Sequence, residues 1–411
     1  MSARRPETAL SLVEVYEAAA RAGERVLGIA SRGASHWDDA GSLPDYLRLR
    51  RSIRTVSVPA GVPPVQAPFT LARGGRLRFP SLVWPDPALA PTLLQAGWRL
   101  GRTTVEPLPP RGSDRSFLRV VGGAQSAIYV RYGCQRDENR RYAGHARLLR
   151  EAGVAVPRVL AERPEARALL LEDGGACSLR DAVQADPGRI DRLYHAVLDQ
   201  VVRLHTRATR LADACALDME PAFDRRLYAW ERDLFLEQIV RRRHRVAEAF
   251  TPGLLDEYDR VAEALLGVGR PVIVHRDLQS TNVLLHRGRV TLIDFQGMRR
   301  GAAAYDLGSL LADPYVGLPR GRREALLDYY ARRVGGAEGD EARRLFPLGG
   351  VQRLTQALGA FGRLTALGLS DWQVHIVPAA RILAELADSC GLAEIHRLAG
   401  ATIAREQQLN R

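Results

Sequence analysis

HRDLQSTNVLLHRGRVTLIDFQGMRRGAAAYD, from His275 to Asp306, sets Asp277, Asn282 and Asp294 in a fixed order along the chain. A loop aspartate is followed five residues later by an amide, and a strand hairpin then delivers a second carboxylate. This is the spacing found in enzymes that move the γ-phosphate of a nucleotide. Such transfer asks little covalent chemistry of a protein and depends on positioning and charge neutralisation. Asp277 can accept the proton of an attacking hydroxyl, while Asn282 and Asp294 offer the hard oxygen ligands that magnesium prefers. The motif therefore predicts a kinase that uses ATP and magnesium.

Composition sharpens this reading. The chain contains no lysine, so all 59 basic side chains are arginine, and asparagine occurs only at Asn139, Asn282 and Asn410. An asparagine at a metal-ligand position stands out against that background. The 411 residues suffice for two or three domains with a sizeable core. A hydrophobic content of 46% and a charged content of 26% are those of a globular protein. Cys134, Cys177, Cys215 and Cys390 are widely spaced and read as free thiols in a reducing compartment. The N-terminus makes a poor signal peptide, because Glu14 and Glu17 interrupt its apolar residues. No apolar run approaches the roughly 18 residues of a membrane span. A cytoplasmic location without membrane contact is expected. The net charge of +12 would permit nucleic-acid binding. Its densest cluster, Arg241 to Arg245, instead reads as a solvated helix face, and no aromatic-rich strand or zinc-finger spacing accompanies it.

Working outward, residues 1–85 form an accessory α/β segment of unassigned role. A helix is expected near residues 10–20, strands at 26–30 and 53–58, and a hairpin across 69–84 that turns at Gly74-Gly75. Residues 86–173 alternate strands with a helix over Asp137–Ala152, and residues 174–411 turn mainly helical. Strands followed by helices is the order of a two-lobed α+β fold of the protein-kinase type, with a small β-rich lobe and a larger helical one.

The ordered series HRDLQSTN, IDFQ and YDLGSLL, with GSDRSFLRV from Gly112 and QRLTQALGAFGRL from Gln352, resembles the aminoglycoside/choline kinase-like phosphotransferases. Within them it is most similar to the branch of bacterial N-acetylmuramate/N-acetylglucosamine anomeric kinases, over roughly residues 90–395. The resemblance implies Asp277 as catalytic base, with Asn282 and Asp294 on magnesium. It implies Gly112, Ser113, Asp114, Arg115 and Ser116 over the nucleotide phosphates, Glu172-Asp173-Gly174 as the hinge against adenine, and Asp306 as a buttress below the catalytic loop. Kinases commonly hold the α- and β-phosphates with a strand lysine, which this chain lacks. Arg131 in AIYVRYG is the candidate replacement, with Glu138 as its partner and Arg115 or Arg119 as fallbacks.

The acceptor expected from the resemblance is a small molecule, a sugar or amino sugar. An aminoglycoside kinase is the alternative, and would need carboxylates at its acceptor site, for which Asp328, Glu338, Asp340 and Glu341 are candidates. A regulatory pseudokinase is the third reading, kept open by the missing lysine. Substrate contacts are sought between residues 315 and 395, with Arg299, Arg300, Trp372 and His375 as polar or aromatic candidates.

Overall fold

Strand parity organises the small lobe. Along QSAIYVRY, Ile128, Val130 and Tyr132 turn to one face of a sheet, while Ala127, Tyr129 and Arg131 turn to the other. The protein is described as a computed structural model covering residues 70–72, 76–78, 86–100, 103–108, 114–134, 136–246 and 251–409. The helix and strands expected within residues 1–69 lie outside these.

Two units divide the chain. In the first, β1 (Thr70–Ala72) and β2 (Arg76–Arg78) form the expected antiparallel hairpin, whose turn lies outside the described residues. Residues Thr104–Pro107 of β3 (Thr103–Pro107) extend it, with Val105 opposite Leu77.

The second unit holds everything else. It opens with α1 (Leu89–Gln95), just before which the Asp86 carboxylate accepts the Ala88 N–H at 2.8 Å. An antiparallel sheet follows, with β4 (Arg115–Gly122) beside β5 (Gln125–Tyr132), then β7 (Ala168–Glu172), then β6 (Val159–Arg163) at the edge. Its helix is α2 (Glu138–Glu151), which buries Tyr142, Ala146 and Leu149 with Val130 and Leu169. α1 lies against β6 and β7. Beyond Gly175, β8 (Cys177–Ser178) leads into α3 (Leu179–Ala185), whose start is fixed by a reciprocal cap between Ser178 and Asp181.

The helical lobe continues through α4 (Ile190–Arg203), α5 (Thr209–Cys215), α6 (Arg225–Phe235) and α7 (Pro252–Leu266). Two short strand sets follow. β9 (Val272–Val274) pairs with β12 (Arg299–Gly301), and β10 (Val283–His286) pairs with both β11 (Arg289–Leu292) and β8. The chain ends in α8 (Ala303–Leu311), α9 (Arg320–Val334), α10 (Gly336–Ala366), α11 (Ile376–Ser389) and α12 (Ala393–Leu409). No helix among the described residues is long and apolar enough to cross a membrane. The four cysteines are free thiols. Of the arginine cluster, Arg241 and Arg242 pair with Glu237, whereas Arg243 and His244 turn inward onto buried Glu406.

α8 and α10 cross with their backbones in close contact. A Cβ on Gly308 would lie 2.7 Å from the Gly350 backbone, and one on Gly349 would lie 2.2 Å from the Ala304 carbonyl oxygen. Only bare backbone fits there. Gly349→Ala should therefore destabilise the protein by about 1–3 kcal/mol, the usual range for an overpacked core. Gly400→Ala, on α12 where a Cβ meets nothing within 4 Å, should be neutral or gain up to about 1 kcal/mol. Urea unfolding of the two variants checks the contrast.

Candidate active site

The loop between β9 and β10 carries HRDLQSTN, and its shape is imposed from below. Asp306 on α8 is fully buried, and its carboxylate accepts the backbone N–H of His275 at 2.7 Å and of Arg276 at 2.9 Å. His205 approaches the same carboxylate at 3.1 Å and Tyr330 at 2.7 Å on its other ring nitrogen. Arg276 is thereby held at φ +77°, a left-handed conformation that non-glycine residues seldom adopt. A second support comes from Asp313, which accepts the Ser280 N–H at 2.7 Å.

Between these supports, the Asn282 side-chain amide donates to the Asp277 carbonyl at 2.9 Å. That bond leaves the amide oxygen of Asn282 for the cleft, which the residue lines. Asp294 follows β11 at φ +67° and faces the same space. One of its oxygens accepts from Arg115 at 2.9 Å and from Gln296 at 2.8 Å. Burial pushes the Asp294 carboxyl up, but the Arg115 cation, the bonds from Gln296 and Arg115, and His275 outweigh it and hold the group below its ordinary value. An ionised carboxylate and an amide oxygen fit a magnesium ion that keeps most of its other ligands from water and phosphate.

The cleft above them has a volume of about 410 Å³. Ile128, Val130, Leu169 and Leu171 form its roof, and Leu284 and Ile293 its floor. Two apolar surfaces around a slot suit a flat heteroaromatic base. At the slot's edge, the Asp173 carboxylate takes hydrogen bonds from Ser126, from Arg119 at 2.8 Å and from the Gly175 N–H at 2.9 Å. Burial opposes ionisation of Asp173, yet these donors keep it below the usual aspartate value. Glu172 accepts from the Arg158 N–H at 3.2 Å and, with Gly174, lines the cleft. Residues 172 and 173 are thus fastened by their side chains.

Several expected site residues fall elsewhere. Gly112 and Ser113 lie outside the described residues. Asp114 is held by the Asn139 amide at 3.3 Å, and Ser116 shares the outward face of the sheet with Arg131. Arg131 itself is corrected: strand parity turns it away from the cleft, where it forms an ion pair with Asp86 at 2.8 Å. Glu138 does not meet it, lying instead 3.6 Å from Arg136. Arg115 and Arg119 are the cleft arginines, because β4 presents residues 115, 117 and 119 opposite Tyr132, Val130 and Ile128. Arg299 and Arg300 are likewise engaged elsewhere, with Glu220 and the Phe223 ring, and with Asp213. Trp372 and His375 pack with Tyr315 and Phe361. Sequence reasoning missed Asn139 and gave Arg353 no role; its guanidinium lies 3.4 Å from Asp277. The scarcity of asparagine was the one signal for Asn139.

A small sheet and a helical lobe around such a cleft define the class of protein-kinase-like phosphotransferases. The fold is similar to that of a choline kinase from Cryptosporidium parvum, at 12% identity and a TM-score of 0.50, covering 73% of this chain and 94% of that one. The model of the phosphotransferase enzyme family matches residues 104–346, and the chain belongs to that family. Among curated proteins, an N-acetylmuramate/N-acetylglucosamine kinase of Pseudomonas aeruginosa is 30% identical over 300 residues, spanning 70% of this chain and 85% of the relative. The protein of the same name from Pseudomonas putida is 29% identical over 294 residues, or 69% of this chain and 83% of the relative.

The two arginines should separate in kinetics. Arg115→Ala should raise the apparent nucleotide constant, lower turnover, or both, by about tenfold or more, as a charge-assisted contact requires. Arg131→Ala should leave both parameters within about twofold, because its ion pair with Asp86 lies outside the cleft. Steady-state assays with varied nucleotide decide between them.

Proposed function

We propose that the protein is an ATP-dependent kinase that phosphorylates a hydroxyl of a neutral or anionic amino sugar. Adenine would lie in the apolar slot against the hinge backbone, and Arg115 would meet the phosphates. Asn282 and Asp294 would hold magnesium, which supplies charge neutralisation at the β- and γ-phosphates when bound. Asp277 orients the acceptor hydroxyl and accepts its proton. The acceptor oxygen forms the new bond to the γ-phosphorus as the bond to the bridging oxygen breaks and ADP leaves.

One observation carries the choice of acceptor. The side chain that faces Asp277 is a guanidinium, that of Arg353, and not a carboxylate. A polycationic aminoglycoside would need acidic partners there. The acidic residues that sequence offered for that role are placed otherwise: Asp328 and Asp340 pair with Arg343, and Glu341 accepts from the Gly269 N–H. Glu338 and Glu341 line a separate cavity beside Arg210 and Arg270. The names of the curated relatives point the same way, as does the charge of +12.

The proposal is tested by ADP formation with N-acetylmuramate, N-acetylglucosamine, simple hexoses and several aminoglycosides. Turnover should be confined to the sugars. Efficient use of a kanamycin-like acceptor alone would contradict it. On the accepted sugar, Asp277→Asn should lower kcat by about 10²- to 10⁴-fold, the usual cost of removing a general base. Binding of magnesium-ATP and the thermal midpoint should stay near wild type. Near wild-type turnover would remove Asp277 from the chemistry.

A further inference from the structure

Arg353 sits on α10 one turn beyond the bare Gly349-Gly350 contact that lets this helix lie against α8. Its side chain is 7% exposed. The guanidinium spans four acceptors: Nε donates to the Ser309 hydroxyl at 3.1 Å, Nη1 to Gln356, and Nη2 to Gln279 at 3.2 Å and to Asp277 Oδ1 at 3.4 Å. The preceding residue, Gln352, donates to the fully buried Glu231 at 2.9 Å, and Tyr305 of α8 donates to the same carboxylate at 2.9 Å. The turn of α10 that carries Arg353 is thus locked to both neighbouring helices.

A cation buried this deeply gives up its hydration, and only well-placed partners offset that loss. A purely structural arginine would recover this through a dedicated carboxylate. The only ion pair Arg353 makes among the described residues is with Asp277, which keeps 40% of its side chain exposed. The separation of 3.4 Å is long for a charge-assisted bond, and catalytic bonds of this kind tighten when substrates bind.

We infer that Arg353 is a positioning residue for the phosphoryl transfer: it holds Oδ1 of Asp277 so that Oδ2 is presented to the acceptor hydroxyl. Gln279 and Ser309 fix the guanidinium from the sides, so the carboxylate plane is set by α10 in addition to the loop's own supports. The inference rests on the reading of Asp277 as base. Lysine cannot substitute fully, since one ammonium cannot span the same four acceptors in a plane.

The test uses the full chain and four variants: Arg353→Gln, Arg353→Lys, Asp277→Asn, and the double variant Arg353→Gln/Asp277→Asn. Arg353→Gln should lower kcat by about 10²-fold, the loss expected from a misplacement near 1 Å. The fall should be the same on N-acetylmuramate and N-acetylglucosamine, with KM for ATP unchanged. Arg353→Lys should recover part of the rate, and would carry the test alone if the glutamine variant did not fold. In the Asp277→Asn background the glutamine change should cause no further loss. Wild-type kcat in Arg353→Gln, or in Arg353→Lys if only that variant folds, would overturn the inference. A defect confined to KM for the carboxylated sugar, or a full additional loss in the double variant, would do the same. If Asp277→Asn alone kept near wild-type turnover, the base assignment would fall first and the inference with it.

Discussion

A single buried carboxylate organises the site. Asp306 accepts two consecutive backbone N–H groups, from His275 and Arg276, while His205, itself bonded to Tyr330, meets the same carboxylate. In a region of low dielectric such bonds are strong, and leaving the donors unmet costs about 1–3 kcal/mol each. The loop can therefore sustain a left-handed Arg276, which sets the direction in which Asp277 leaves the backbone. The later members follow from this anchor. Asn282 is tied back to Asp277, and the Ile293 N–H donates to the Asn282 carbonyl at 2.9 Å, which leads directly to Asp294.

The anchor works only because α8 is itself fixed. Gly308 and Gly349 let α8 and α10 meet backbone to backbone, and Glu231 ties both helices to α6. The same close crossing brings Arg353 to the loop that carries Asp277. Charge is distributed with comparable economy. Arg115 pairs with Asp294, Arg353 with Asp277, and Arg119 with Asp173. In a chain without lysine, three planar guanidinium groups take positions where a point charge would give less control of orientation.

Much of this was legible in the sequence because the catalytic loop and its hairpin are local. Asp277, Asn282, Asp294 and Asp306 lie within one stretch, and their spacing already encodes loop, hairpin and helix. Arg131 was misread because the choice between adjacent strand positions depends on which face meets the cleft, and a one-residue shift exchanges faces. The register of β5 with β4 and β7 decides it, through pairing that sequence spacing does not report. Arg353 lies 76 residues beyond Asp277, and only the glycine crossing of α8 and α10 brings the two together. Its motif could be quoted from the sequence, but its role could not. Asn139 reaches Asp114 across 25 residues by the same kind of tertiary contact.

Asp306→Asn tests directly whether Asp306 aligns Asp277 or merely stabilises the lobe. The amide keeps the shape but faces one of the loop N–H groups with a donor. Measured on the accepted sugar under saturating magnesium-ATP, kcat should fall by about 10²-fold, while nucleotide affinity stays near wild type. Wild-type turnover in a folded Asp306→Asn protein would contradict the account.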